Sequence, residues 1–490
     1  MVKCARVLHA TNHEPRTANH QLPTMKRRDF LSTTALAAVC AGCGSFNVGA
    51  VHGRRPAPSE TLNLAVIGCG TMGMGNMNGF LRDKRVRVVV TCDPVKDSPA
   101  YGYDKDWKKK WRGGRVPFAE KVDDFYKQKG CRAVADWREV VADPTVDAVL
   151  IATTDHWHAL IAVAAMKAGK HVYCQKPLSM SIAEGRLMSD VASKTGVVFQ
   201  VGSQQRSAKE FREAAELVRN GYLGDCTTCT IGLSYAHNDS HRNGFGRDGK
   251  PRAALPDYWK LTPDEWDLWQ GPAQHWENNA FIPGIHGPMV WRWNDRTGNG
   301  ALPDWGAHHL DILQWALGTE LGGPVAIENF TSDMGTATDD VFNWPGAFKF
   351  DVVYANGFRA TVSDSDACKF CGLKFHAPKG DLFVTRGKIE KPAHLANWKE
   401  SDLKDTEVHL HKSRGSHESD FVDAIFDPSW QPACTCETGH RSITISHLAN
   451  SCAKTGVKSL KWDAAKEVSD NAAINARADI VRYNGWSLKG

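Results

Sequence analysis

Apolar positions first become regular at Leu62 to Ile67, where only Asn63 interrupts the run. Glycines follow at Gly68, Gly70 and Gly73, then a helix-compatible segment, then a second apolar run that stops at Asp93. The pattern predicts strand, turn, helix and strand. Farther on, an amphipathic stretch from Trp137 to Ala142 precedes an apolar strand from Val146 to Ala152. A helix entered at Thr153 and closed by Gly169 leads to a strand at His171 to Cys174, and then to Gln175-Lys176-Pro177. Strands alternating with helices predict an α/β fold with a doubly wound parallel sheet, whose ligands bind beyond the carboxyl ends of the strands. Thr153, Thr154 and Lys176 lie at such ends.

Each glycine of the first turn has a physical task. Gly68 permits the tight turn out of the strand, Gly70 leaves room for a pyrophosphate against the backbone, and Gly73 lets the helix pack close to the sheet. Phosphates there meet the unpaired N–H groups and the positive dipole end of the helix. Asp93 can accept hydrogen bonds from a ribose 2′-hydroxyl and would repel a 2′-phosphate, which favours NAD over NADP. Such a glycine turn alone is a weak signal. Its place between strand and helix, with an acid about 20 residues on, makes dinucleotide binding the better reading.

A second constellation is Asp304-Trp305-Gly306-Ala307-His308-His309-Leu310-Asp311. In a helix ending before Gly318, residues turn by about 100° each, which sets Asp304, His308 and Asp311 on one stripe. The rest of the circumference is largely apolar, so the helix is expected to be buried, with its polar stripe facing a cleft or an internal network. His309 points elsewhere. Gln205 and Arg206 follow another strand end, and Trp291 to Asp295 lead into the glycine turn before Asp304. Aromatic faces among amide, guanidinium and carboxylate groups suit a sugar, which has apolar C–H faces and a hydroxyl rim. Gln205, Arg206, Trp293 and Asp295 are therefore expected at the substrate.

The 490 residues suffice for two domains, and 60 Lys+Arg against 55 Asp+Glu give no reason to expect a nucleic-acid partner. No apolar run reaches the roughly 20 residues of a membrane span. Residues 1 to 50 read as a leader. Met25-Lys26-Arg27-Arg28-Asp29-Phe30-Leu31 and the mild apolar run to Ala41 have the form of a twin-arginine export signal, which delivers folded proteins to the periplasm. A lipidated Cys43 is the weaker alternative, because Cys40 stands where leucine is usual. Residues 97 to 130 form a polar, basic insertion, expected as a solvated loop whose aromatic residues Tyr101, Tyr103, Trp107 and Trp111 pack on a cleft rim or a neighbouring subunit. The 14 cysteines include Cys226 with Cys229 and Cys368 with Cys371, both in strand-like segments where residues three apart point to opposite faces. No metal site is expected; disulfides and buried free thiols both stay open.

AVIGCGTMG, IATTDHWHALIAVAAMKAGKHVYCQKPLS, VGSQQRS and GALPDWGAHHLDILQWALG together resemble the motifs of the Gfo/Idh/MocA oxidoreductases. The resemblance covers nearly everything from Leu62 onward. It implies a Rossmann domain, here residues 60 to 178, and a C-terminal α/β domain with a large, mostly antiparallel sheet, here 179 to 490, whose last residues pack back on the first domain. It also implies a homodimer or homotetramer formed through the open sheet face. The lysine of the family's Glu-Lys-Pro motif falls on Lys176, with Gln175 in place of the glutamate, and its aspartate and histidine fall on Asp304 and His308. Cofactor contacts are then expected from Gly68, Gly70, Thr71, Met72, Gly73, Asp93, Thr153, Thr154, His158 and Gln175.

Oxidising a secondary alcohol needs a base on the hydroxyl proton. His308, supported by Asp304, is the expected base, with Lys176 stabilising the developing negative charge or itself serving as base. The first expectation is thus a periplasmic NAD-dependent oxidoreductase of a sugar or polyol, which retains its cofactor because free nicotinamide is not expected outside the cytoplasm. The alternatives are a redox-neutral glycosidase, dehydratase or epimerase working through transient oxidation, and a sugar or nucleotide sensor on the same fold.

Overall fold

The computed structural model describes residues 60–101, 111–234, 261–273, 290–334 and 342–479, together with Trp486 and Leu488. The leader expected at residues 1 to 50, including Cys43, lies outside the described residues, as do Tyr103 and Trp107.

Six parallel strands form the first sheet: β1 (Leu62–Ile67), β2 (Val86–Cys92), β3 (Arg132–Val134), β4 (Ala148–Ile151), β5 (His171–Cys174) and β6 (Phe199–Val201), in the order β3-β2-β1-β4-β5-β6. Alternate residues of the buried strands feed two cores, which is why they read as continuous apolar runs. Leu64, Val66, Leu150 and Tyr173 meet α1 (Thr71–Leu81) and α2 (Arg115–Tyr126) on one face. Ala65, Ile67, Ile151 and Val172 meet α3 (Trp137–Ala142), α4 (Asp155–Lys167) and α5 (Ile182–Thr195) on the other.

Two features differ from the pattern expected. The sheet does not end at residue 178, because β6 pairs with β5 from Val172↔Phe199 to Cys174↔Val201, which makes α5 a crossover helix of this sheet. Nor is the stretch 97 to 130 wholly a solvated loop. Within it α2 buries Phe118, Ala119 and Val122, and β3 follows, so it contains an ordinary crossover whose apolar stripe is narrow among charged residues.

The second sheet holds nine strands in the order β13-β12-β11-β7-β10-β9-β8-β14-β15. They are β7 (Thr228–Leu233), β8 (Ala326–Ser332), β9 (Phe348–Val353), β10 (Arg359–Asp364), β11 (Gly372–His376), β12 (Leu382–Thr385), β13 (Lys388–Glu390), β14 (Leu460–Asp463) and β15 (Val468–Ser469). Only β7 and β10 run parallel; the other pairings are antiparallel. One face is covered by α6 (Lys209–Arg219), α8 (Ala301–Leu317) and α11 (Cys436–Thr455), through Phe211, Leu310, Leu313 and Leu448 packed on Ile231, Phe350 and Val362. Among the described residues the remaining helices are α7 (Pro263–Gln270), α9 (Ser365–Cys368), α10 (His417–Phe426) and α12 (Ala472–Asn475).

The two layers share side chains. Phe421 of α10 packs against Phe80 and Tyr173 of the first core, and Asn76 Nδ2 donates to Glu418 at 2.8 Å. Trp486 lies 5.1 Å from Trp157, edge to face. Among the described residues every cysteine is a free thiol, no cluster of three His, Cys, Asp or Glu side chains could hold a metal, and no helix is long and apolar enough to cross a membrane.

Candidate active site

The carboxyl ends of β1, β2, β4 and β5 open into one cavity of about 260 Å³. The glycine turn closes one end of it. Gly68 has φ of +97°, and a Cβ there would come within 2.5 Å of the Ala152 carbonyl. Gly73 lies beneath the turn, where a Cβ would meet the Gly68 oxygen at 2.0 Å; it brings α1 close and does not line the cavity. A Cβ on Gly70 would meet nothing within 4 Å. As the N-cap of α1, Gly70 offers no capping side chain, so the first N–H groups of the helix are left for a ligand.

Thr71, Met72 and Asp93 continue the wall. Asp93 Oδ2 accepts the Cys69 N–H at 2.8 Å and Oδ1 accepts the Val95 N–H at 2.9 Å, which ties the acid to the turn. Burial pushes its carboxyl up to about 6 against the pull of those two bonds. Thr153, Thr154 and Gln175 line the next stretch. Thr153 Oγ1 and Gln175 Oε1 are buried without a hydrogen-bond partner, a deficit that a polar ligand would fill. His158 stands behind them, 2.8 Å from the Pro177 carbonyl and 3.2 Å from that of Thr153. Burial holds its imidazole down to about 4, so it is neutral and its one N–H goes to one of these two carbonyls. Open space over Gly70 at an uncapped helix N-terminus, an acid for a ribose and unpartnered amide and hydroxyl groups farther along fit a dinucleotide.

Lys176 lines the far end of the cavity, where it leaves β5 and meets α8. Its Nζ donates to Asp304 Oδ1 at 2.5 Å and to the Asp304 carbonyl at 3.0 Å. Asp304 occupies the first turn of α8, where the helix dipole favours a carboxylate, and Arg292 Nε stands 3.5 Å from the same oxygen. Burial lowers the Lys176 ammonium from its usual value; Asp304 opposes the shift and Arg292 adds to it. His308, one turn beyond Asp304, is buried and does not line the cavity. Burial, then the charges of Lys176 and Arg386, hold its imidazole well below the usual range, and Nδ1 has no hydrogen-bond partner. His309 turns away to the Gly232 carbonyl at 3.1 Å.

The four residues expected at the substrate are not on the cavity wall. Arg206 is sealed in the interior, its Nε and Nη2 donating to the two Asp311 oxygens at 2.7 and 2.8 Å and its guanidinium stacked on Trp315. Gln205 is buried with neither amide atom partnered. Asp295 pairs with Lys454 at 2.9 Å, and Trp293 is core. Residues 290–293 form a 3₁₀ turn, in which residues three apart share a face. Val290 and Trp293 take the buried face, leaving Trp291 and Arg292 to the cavity.

Asp155, the first residue of α4, also lines the cavity, and sequence reasoning passed over it. The available signal was its place just beyond the end of β4, equivalent to that of Lys176 beyond β5. Tyr101, Trp137 and Trp269 supply aromatic wall.

Residues 116–203 match the NAD-binding Rossmann profile of an oxidoreductase family, and residues 208–487 match that family's C-terminal alpha/beta domain. A 1,5-anhydro-D-fructose reductase of Ensifer adhaerens is 26% identical over 333 residues, covering 66% of this chain and 83% of that protein. A myo-inositol 2-dehydrogenase of Thermotoga maritima is 37% identical over 93 residues, and there the match spans only 28% of the relative and 19% of this chain. Levoglucosan dehydrogenase in complex with NADH and levoglucosan superposes with a TM-score of 0.52 at 17% identity, covering 84% of this chain and 99% of that one, a likeness of fold. Because the C-terminal profile alone spans more than half of the 490 residues and the Rossmann profile precedes it, the chain belongs to the Gfo/Idh/MocA oxidoreductase family.

Proposed function

We propose that the protein transfers hydride between a tightly held NAD and a hydroxyl-bearing carbon of a sugar or polyol. The observation that carries this reading is a single cavity with the glycine turn and Asp93 at one end and Lys176, ion-paired to Asp304, at the other. Relatives named for anhydrofructose, inositol and levoglucosan support the substrate class. When bound, the nicotinamide supplies the hydride acceptor or donor.

The protein's own groups do the rest. The turn and the α1 N-terminus hold the pyrophosphate, and Asp93 receives a ribose hydroxyl, its remaining lone pairs being sufficient and its charge disfavouring NADP. Lys176 lines the cavity with its Nζ held by Asp304, so we place it on the substrate oxygen, where it stabilises negative charge and takes the hydroxyl proton. Asp304 aims the amine. His308, the base expected first, is buried and does not line the cavity, so Lys176 is the better placed acceptor.

Incubating the purified protein with free sugars and with glycosides, without added NAD, and identifying products by mass tests the reading. Interconverted keto-sugar and alcohol support it. Released aglycone points to the redox-neutral reaction, and saturable binding without turnover to a sensor. Mild purification that yields no bound nucleotide overturns the retained cofactor.

We also propose that the Arg27-Arg28 leader exports the folded protein to the periplasm, so that replacing both arginines by lysine leaves it in the cytoplasm. Assembly as a dimer or tetramer through the open sheet face is checked by light scattering.

A further inference from the structure

Gln175 follows β5 directly, precedes Lys176 and lines the same cavity. Its side chain is 3% exposed, and its two amide atoms are treated differently. Nε2 donates to Asn76 Oδ1 at 2.8 Å, whereas Oε1 is buried with no hydrogen-bond partner. Asn76, on the α1 helix that starts at the glycine turn, donates in turn from Nδ2 to Glu418 Oε1 at 2.8 Å, with the Tyr173 hydroxyl oxygen farther off at 3.5 Å. Glu418 is 342 residues from Asn76 in the chain and stands in the first turn of α10, where the helix dipole favours a carboxylate. Gly202 packs directly on the Gln175 amide, for a Cβ there would come 2.6 Å from Nε2 and 2.9 Å from Oε1.

These contacts fix a direction. A carboxylate accepts hydrogen bonds and cannot donate them, so Glu418 claims the amide N–H₂ of Asn76. Asn76 then has only its oxygen to offer, and Gln175 must answer with its own N–H₂. The oxygen of Gln175 is what is left for the cavity. A carboxylate at position 175 would set its oxygen against Asn76 Oδ1 or, if Asn76 turned over, set that oxygen against Glu418.

We propose that Glu418, acting through Asn76, is a positioning residue that turns the Gln175 oxygen into the cavity as a hydrogen-bond acceptor for the nicotinamide half of NAD. The proposal rests on the NAD-dependent reading above and adds a determinant from α10, which does not itself line the cavity. With the pyrophosphate at the glycine turn and the substrate oxygen at Lys176, the residue next to Lys176 meets the nicotinamide end, whose donors are ribose hydroxyls and the carboxamide N–H₂. Either donor satisfies the buried oxygen, and a donor buried there without it would lose a hydrogen bond to water and gain none. The relay also accounts for the neutral residue where the family's motif has glutamate: with Glu418 at its far end, only a donor fits against Asn76 Oδ1.

The test uses the full-length protein at mildly alkaline pH and reads NAD affinity by fluorescence titration and the urea midpoint of the nucleotide-free protein. Gln175→Met should weaken NAD about 10-fold, the loss of one buried acceptor. Glu418→Met, which frees the Asn76 amide to turn over, should weaken NAD about 3-fold in the wild type and no further in the Gln175→Met background. An acetylpyridine analogue of NAD, which lacks the carboxamide N–H₂, identifies the donor. If Gln175→Met weakens the analogue as much as NAD, the donor is a ribose hydroxyl; if it leaves the analogue unchanged, the donor is the carboxamide. The relay itself is read by a swap. Gln175→Glu should lower the urea midpoint or prevent folding, and adding Glu418→Gln should restore most of the loss, because an amide at 418 can donate to the turned-over Asn76 while Asn76 serves the new carboxylate. A merely structural Glu418 gives additive losses instead. Wild-type NAD affinity in Gln175→Met, or additive losses in either pair, overturns the proposal alone. A wild type that binds no NAD overturns the oxidoreductase reading and this proposal with it.

Discussion

Helix α8 carries two buried ion pairs two turns apart, and they are built differently. Asp304 meets Lys176 at the cavity, where burial lowers the ammonium and a second cation, Arg292, shares the carboxylate. Asp311 meets Arg206 in a bidentate pair closed off on every side, with the Ser442 hydroxyl donating to Asp311 at 2.7 Å and Trp315 beneath the guanidinium. Asp311 raises Arg206 in spite of the opposing pull of burial. A planar, always charged fork satisfied on both sides suits locking, whereas a point-charge amine whose proton can be moved suits chemistry. Charge alone does not separate the two roles. Access and the readiness of the cation to give up its proton do.

The largest effect expected from this contrast is on turnover at the open pair. Lys176→Met should lower hydride transfer by about 10³-fold or more while NAD still binds, because the loss falls on the group we place at the reacting oxygen. Its cost in stability should be on the order of 1 kcal/mol, since Arg292 and the helix N-terminus still face Asp304. The sealed pair should behave in the opposite way. Arg206→Met leaves Asp311 without its cation and should cost about 3–5 kcal/mol in denaturant unfolding, with near-normal turnover by whatever remains folded. The double variant Arg206→Met/Asp311→Leu should recover part of that loss, as apolar replacements of a buried pair often do. Equal losses of activity from Lys176→Met and Arg206→Met, at equal stability, would erase the distinction.

These two pairs also show what a sequence can and cannot display. The parallel sheet was legible because buried strands run as unbroken apolar segments, and Gly68 and Gly73 because sterics leave no room for a side chain. Lys176 was legible from its place at a strand end. Arg206 also follows a strand end, and nothing local reveals that its partner waits 105 residues away on the inner face of α8. Trp293 was misplaced for a local reason: a single 3₁₀ turn exchanges which neighbours face inward, and a period of three over four residues is too short to read; Asp295, beyond that turn, is drawn to Lys454, 159 residues away. Asp155 escaped because its environment is assembled by Asn299, Arg292 and Asp304, none of them near it in sequence. The boundary at 178 moved because β6 is only three residues long, and α10 was hidden because its apolar face completes a core more than 300 residues earlier in the chain.

The smallest expected effect separates the pairs by pH. Asp155, beside the open pair, has a folded value of about 7 against an ordinary carboxylate near 3.9, so between these limits the folded protein binds more protons than the unfolded chain. The sign is then fixed: this group's contribution favours folding most at the acid end of the window and is lost as pH rises towards 7. Asp93, raised to about 6, works in the same sense, while the buried neutral imidazoles of His158 and His308 work in the opposite one. A single stability profile therefore mixes signs, and a difference of profiles isolates the term. Urea midpoints of the NAD-free protein should fall less between pH 5 and pH 8 in Asp155→Asn than in wild type, with the variant gaining at the alkaline end. Arg206→Met/Asp311→Leu should keep the wild-type slope, because Asp155 is untouched in that variant. A slope unaltered by Asp155→Asn, or abolished by the double variant, would assign the titrating group to the wrong pair.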